Sequence, residues 1–299
     1  MEAVGVSTIS KGEEKRRYLP LEIRATMYDD VIELKKQGLS YTQIQRKIYE
    51  KCEIRLPRST ISDWVNRKRH PLGKVNKFDG KPSLELAYAI GTKNSDGCLY
   101  FNNDRKYSII LAVNDKEFAE EFGKCLAKLL HRKEPYKPFW DKKHKQWRVE
   151  CCSILLYKFL NKPLEELKPY IEYSKDCVSA FLRALFDGEG SIYVSRKRSR
   201  RILMLFNTNI ELLNYAKYLL KKYFDIDATG PYLARKGGEI LRFPNGKVVK
   251  TKKDYYYIYI RAKSLLNFYK YIGFTIRRKQ QILIEANKEP LPLFLFSFY

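Results

Sequence analysis

Apolar positions begin to recur at helical spacing just after residue 20 of this 299-residue chain. Val31, Ile32 and Leu34 share one face of a first helix, which Gly38 stops. Ser40 is placed to cap a second helix whose inner face is Ile44 and Ile48. A third begins at Ser59 or Thr60, with Ile61, Trp64 and Val65 as its buried stripe and Asp63 completing a capping box with Thr60. Residues 66–83 then turn basic and turn-rich and read as a connection. Beyond residue 84 helical stretches, including 115–130 and 209–224, alternate with short runs at 98–103, 106–113, 135–140, 146–151, 191–195, 201–207, 231–235 and 254–261. In these runs aliphatics are interleaved with Tyr, Arg, Lys, Asn and Trp, as in sheets with one buried and one wet face. Period two puts Tyr255, Tyr257 and Tyr259 on one face of the last run, and the pattern leaves open whether that face is core or surface.

The second part of the chain repeats itself. Ser95-Asp-Gly-Cys-Leu-Tyr100 returns as Gly188-Glu-Gly-Ser-Ile-Tyr193, an offset of 93 that also links Asn114 to Asn207 and Leu126 to Leu219. Pro135-Tyr136 returns as Pro231-Tyr232 at 96, and Cys152-Ser-Ile-Leu155 as Lys263-Ser-Leu-Leu266 at 111. The second copy therefore carries 18 extra residues, best placed in the Gly- and Lys-rich stretch 235–253. Each copy reads helix, two strands, helix, two strands, helix. The expected organisation is a poorly ordered tail (1–20), a small all-α domain (21–73), a linker (74–83), a first repeat (84–175), a second repeat (176–288) and an apolar tail (289–299). The two repeats form a pseudo-twofold α+β core.

Charge narrows the partner. Lys and Arg number 58 against 34 Asp and Glu, a net +24, which favours a polyanion; a polynucleotide is the commonest, because each phosphate contact releases condensed counterions. A hydrophobic content of 44% describes a folded protein, not a basic tail. Six cysteines without CxxC spacing and three histidines (His70, His131, His144) disfavour zinc ribbons and Cys/His-box nucleases, and fit a reducing cytoplasm. No secretory signal is evident. The apolar end 290–299 is too short to span a bilayer and reads as a strand or tail packed on the core, so no membrane association is expected.

Two resemblances follow. Gly38-Leu-Ser-Tyr-Thr-Gln-Ile44 with Arg58-Ser-Thr-Ile-Ser-Asp-Trp64 resembles a homeodomain-like helix-turn-helix, with a longer second turn at 50–57. In that fold the last helix enters the major groove, here with Arg58, Ser59, Ser62, Asp63, Asn66 and Arg67 on its polar face. Ala89-Ile-Gly-Thr-Lys-Asn-Ser-Asp-Gly97 and Leu182-Arg-Ala-Leu-Phe-Asp-Gly-Glu-Gly190 both resemble the LAGLIDADG nonapeptide. The chain thus looks like a monomeric, two-motif LAGLIDADG homing endonuclease over roughly 84–288, of the archaeal type that carries an N-terminal helix-turn-helix. The first motif departs from the pattern at Thr92-Lys-Asn94.

Physical reasons accompany the residue types. Two helices meeting on a pseudo-twofold axis need small residues at the contact, here Gly91 and Ala184. Gly97 and Gly190 release each helix into a strand, where a left-handed or tight turn costs glycine least. Such packing sets Asp96 and Glu189 side by side at helix carboxyl ends, an oxygen-rich site for Mg²⁺, for which Mn²⁺ can substitute. The resemblance implies a DNA-binding saddle, a long asymmetric duplex target, cleavage across the minor groove, and Lys116 near the metals, with Asn207 carried over more weakly. Strand-borne Asn102, Asn103, Arg105 and Lys106 in one repeat, and Arg196, Lys197, Arg198 and Arg200 in the other, are the candidate base and phosphate contacts. The alternative is a non-cleaving transcription regulator, or a maturase whose partner is intron RNA, on the same core.

Overall fold

The computed structural model describes residues 21–71, 78–101, 107–195, 200–242 and 248–288. The chain divides into two compact units, Met1–Val75 and Asn76–Tyr299. The first holds three helices, α1 (Leu21–Lys36), α2 (Tyr41–Cys52) and α3 (Arg58–Val65), around Met27, Val31, Ile44, Ile48, Leu56, Ile61 and Trp64. Gly38 stands at φ +86°, and Ser40 forms a full capping box with Gln43. The expected box at Thr60–Asp63 does not form. Instead α3 starts one residue earlier, at Arg58 behind an extended Pro57, and has no side-chain cap. Asp63 serves the other end: its carbonyl accepts from the Lys68 and Arg69 amides, and its carboxylate pairs with Arg69 at 3.3 Å.

The second unit is built twice. In the first repeat Ser83 caps α4 (Leu84–Asn94), followed by β1 (Gly97–Phe101), β2 (Tyr107–Val113), α5 (Lys116–Leu129), β3 (Phe139–Asp141), β4 (Gln146–Cys152), α6 (Ile154–Leu160) and α7 (Leu164–Ile171). In the second Ser174 caps α8 (Lys175–Glu189), followed by β5 (Gly190–Ser195), β6 (Arg200–Asn207), α9 (Ile210–Phe224), β7 (Ala228–Arg235), β8 (Ile240–Arg242), β9 (Val248–Lys250), β10 (Tyr255–Ile260), α10 (Leu265–Tyr271) and α11 (Arg277–Lys288). Each repeat forms one antiparallel four-stranded sheet, in the orders β1-β2-β4-β3 and β5-β6-β10-β7. These orders are equivalent under the repeat. The extra residues of the second copy hold the separate β8–β9 hairpin.

Three expectations change. The strand expected over 135–140 is confined to β3, because the Tyr136 amide bonds the Gly123 carbonyl and a Cβ on Gly123 would meet the Tyr136 carbonyl, which docks that stretch onto α5. The closing helix of the first repeat is two short helices divided at Pro163, as the fixed proline φ requires. Gly97 and Gly190 are glycine for space, not for a left-handed turn: Gly190 lies at φ −79°, and a Cβ on Gly97 would fall 2.7 Å from the Thr92 carbonyl. The tails 1–20 and 289–299 and the centre of the linker lie outside the described residues.

The core of this unit is a single cluster whose middle is α4 and α8, apolar nearly all round and buried from Leu86 to Thr92 and from Cys177 to Phe186 apart from half-buried Arg183. From the sheets it takes Ile109, Leu111, Val113, Val149 and Cys151 in one repeat, and Ile192, Leu203, Leu205, Ile258 and Ile260 in the other. Strand alternation turns the remaining side chains to the opposite, wet face.

Candidate functional site

α4 and α8 touch where both sequences are small. A Cβ on Gly91 would lie 2.5 Å from the Phe181 carbonyl and 2.8 Å from the Ala184 Cβ. One turn further, a Cβ on Gly188 would lie 2.7 Å from the Ser95 side chain and 2.9 Å from Oδ2 of Asp96. The last turns of the two helices therefore converge, and they deliver Asp96 and Glu189 to one place. Burial raises both carboxyls above their ordinary range. For Glu189 the charge of Asp96 raises it further, while the Tyr255 hydroxyl, donating to Oε2 at 3.1 Å, pulls it back.

The polar positions of the first motif are satisfied inside it. Thr92 donates to the Tyr88 carbonyl at 3.0 Å and Asn94 to the Ile90 carbonyl at 2.8 Å. Asp187, the counterpart of Asn94, is 2% exposed and does something else. Its Oδ1 accepts from the Thr275 amide at 2.9 Å and its Oδ2 from the Tyr88 hydroxyl at 3.1 Å, tying the foot of α11 to both motif helices. Burial pushes its carboxyl up to about 6.

That anchorage brings in a residue the sequence reading missed. Lys279, 6% exposed, donates from Nζ to the carbonyls of Phe186 (3.1 Å) and Asp187 (2.5 Å) at the end of α8. Its charge acts on both Asp96 and Glu189. One signal could have raised the question without naming the site: Arg277-Arg278-Lys279 puts three cations at a helix N-terminus, where the dipole disfavours them unless acids lie nearby. Asp115 takes Arg278 bidentately at 2.7 Å, and Glu117 faces Arg277 at 3.9 Å.

Other expected residues lie as follows. Lys116 pairs with Glu120 at 2.9 Å and sits over the Trp147 ring. Asn207 accepts the Asn209 amide as a turn cap and reaches the Asn94 carbonyl at 3.5 Å, so it spans the two repeats. On α3, Arg58, Ser59, Asn66 and Arg67 are exposed and Ser62 half-buried; Arg58 donates to Thr42 and Asn66 to Ser62. Arg200 opens β6, exposed and opposite Ser195. Asn102, Asn103, Arg105, Lys106, Arg196, Lys197 and Arg198 lie outside the described residues. The histidines sit elsewhere: His70 rests on Tyr28, and His144 bonds Asp141 at 2.7 Å.

The donor set suits a hard divalent cation. Burial holds both carboxyls above their ordinary range, the charge of Asp96 raises Glu189 further, and the Lys279 ammonium offsets this only in part. Among the described residues no cluster of three or more His, Cys, Asp or Glu could enclose a metal. A cation here would keep several waters or take phosphate oxygens, as Mg²⁺ does.

Comparison with known proteins touches mainly the second unit. The family profile described as LAGLIDADG-like domain matches residues 176–273. The uncharacterized protein MJ0398 of Methanocaldococcus jannaschii is 34% identical over 255 residues, covering 84% of this chain and 89% of that protein. The chain belongs to the family of MJ0398. A second protein of that organism, MJ0314, is 29% identical over 155 residues, covering 50% of this chain and 57% of its own length. Solved structures with similar folds include variants of the homing endonuclease I-DmoI (TM-score 0.47, 17% identity, 68% of this chain and 97% of that one). The N-terminal LAGLIDADG domain of WhiA is another (TM-score 0.40, 20% identity, 68% and 88%).

Proposed function

We propose that this member of the MJ0398 family is a site-specific, Mg²⁺-dependent endonuclease acting on duplex DNA. The observation that supports it most strongly is the convergence of one carboxylate from each repeat, Asp96 and Glu189, at a seam where Gly188 leaves no room for a side chain. Asp96 and Glu189 would hold the metal, whose chemistry is to activate water and stabilise the leaving oxygen. Tyr255 orients Glu189 through its hydroxyl. Lys279, not Lys116, is the cation we assign to offset charge at the site, since its ammonium is fixed on the α8 carbonyls. The net charge of +24 supplies the attraction to phosphates, and the polar face of α3 would add contacts that lengthen the target.

The test uses the host locus with this reading frame, and any intron around it, deleted. That duplex is incubated with purified protein in Mg²⁺ or EDTA, and ends are mapped on both strands. A unique Mg²⁺-dependent double-strand break near the junction supports the nuclease. Intact DNA that is nonetheless retarded in a gel supports the non-cleaving reading.

A further inference from the structure

The two wet faces have different chemistry. Register and alternation place Cys98, Ser108, Arg148 and Glu150 on that of the first sheet together with Ile110, Tyr100 and Phe139, and Glu150 joins Ser108 (2.9 Å) and Arg148 (3.0 Å). Such groups can meet base edges in a groove. The second sheet carries a row of aromatics in ring contact. Phe206 lies parallel to Tyr255 (5.6 Å, 14°) and 5.5 Å from Tyr257, which lies 5.5 Å from Tyr232 on the neighbouring strand. The row crosses β6, β10 and β7 and starts at the tyrosine bonded to Glu189. Tyr232, at one end of the row, is 48% exposed, and Tyr193, on the same face of the outer strand β5 but outside the row, is 43% exposed.

Cross-strand ring contacts give such a row some stability of its own, but rings left open to solvent at its exposed side suit an occupant that presents flat apolar faces. Bases paired in a duplex hide those faces in the stack; unpaired bases offer them. Exposed Arg200 and Arg235 end the flanking strands, with Arg235 opposite Tyr255 in the register, which suits a phosphate backbone running along the same face. We infer that the wet face of the second sheet is a stacking platform for unpaired nucleobases of a single strand. The inference rests on the proposed function only in taking these faces as the nucleic-acid surface.

The experiment measures fluorescence anisotropy at raised salt with four end-labelled probes of about twelve nucleotides, within the span one such platform covers. They are oligodeoxyuridylate, oligouridylate, a strand of abasic sites with the same phosphates, and a duplex. The expected result is that base-bearing strands bind about tenfold or more tightly than the abasic strand. The double substitution Tyr193→Leu/Tyr232→Leu should erase that advantage, Tyr193→Phe/Tyr232→Phe should keep it, and any loss of duplex binding in the leucine variant should be smaller than its loss of single-strand binding. Preference for one sugar identifies RNA or DNA as the source of the strand. Equal binding of abasic and base-bearing strands overturns the inference, as does an equal loss of duplex binding in the leucine variant. Failure of the parent to bind duplex counts against the proposed function instead.

Discussion

The two motif helices occupy equivalent places and are completed by different means. In the first repeat the polar side chains of the helix end turn inward: Asn94 and Thr92 bond carbonyls of their own helix, and among the described residues no tyrosine hydroxyl is seen to bond Asp96. In the second, Asp187 reaches out to the foot of α11 and so carries Lys279 to the seam, while Tyr255 holds Glu189. One repeat supplies a carboxylate and the other a carboxylate with its supports. The lesson is that a duplicated fold keeps the pair of acids in register while the groups that tune them need come from one copy alone.

Breaking either acid should have the largest effect. Asp96→Asn and Glu189→Gln should each lower the cleavage rate by about 10³-fold, the scale on which losing a charge-stabilising group acts, while duplex affinity in a gel-shift titration stays near the parent value. Next comes the seam. Gly91→Val drives a side chain into the Phe181 carbonyl and should cost about 3 kcal/mol, a Tm fall of roughly 6–12 °C by calorimetry. Ala184→Gly relieves the same contact and should cost less.

Much of this comparison was legible in the chain. Gly91, Ala184, Asp96 and Glu189 could be named because two copies in register each carried a small residue and an acid at the same offset. Lys279 was not, because a lysine in an amphipathic helix far along the chain reads as solvated until the Asp187 bonds to Thr275 and Ile276 fix where that helix begins. The aromatic face was half legible: alternation grouped Tyr255, Tyr257 and Tyr259, but only the register with Leu203 and Leu205 shows that Ile258 and Ile260 take the core side. The start of α3 and the short β3 escaped: α3 begins behind an extended Pro57 with no side-chain cap, and the stretch before β3 is set by the contact of Tyr136 on Gly123.

Two smaller effects sharpen the contrast. Lys279→Met removes the donor from two buried carbonyls and should cost about 1–3 kcal/mol in chemical unfolding, with cleavage slowed more than DNA binding. The smallest effect concerns Asp227 at the start of β7, which Lys263 and then Lys221 hold down to about 2 through hydrogen bonds. A carboxyl lowered in the folded state stabilises above its unfolded pKa and loses that contribution as the pH falls through its folded value. Asp227→Asn should therefore lower Tm slightly near neutrality, and the gap from the parent should close on acidification from about pH 4 toward 2.

The central claim, that Asp96 and Glu189 together hold a divalent cation, is tested most directly by calorimetric titration of Mn²⁺ into the parent and into the Asp96→Asn/Glu189→Gln variant. Both carboxyls must be ionised to coordinate and burial raises both, so the parent's affinity should weaken as the pH is lowered. The variant should show no such binding. Equal Mn²⁺ binding by the two proteins would contradict the account.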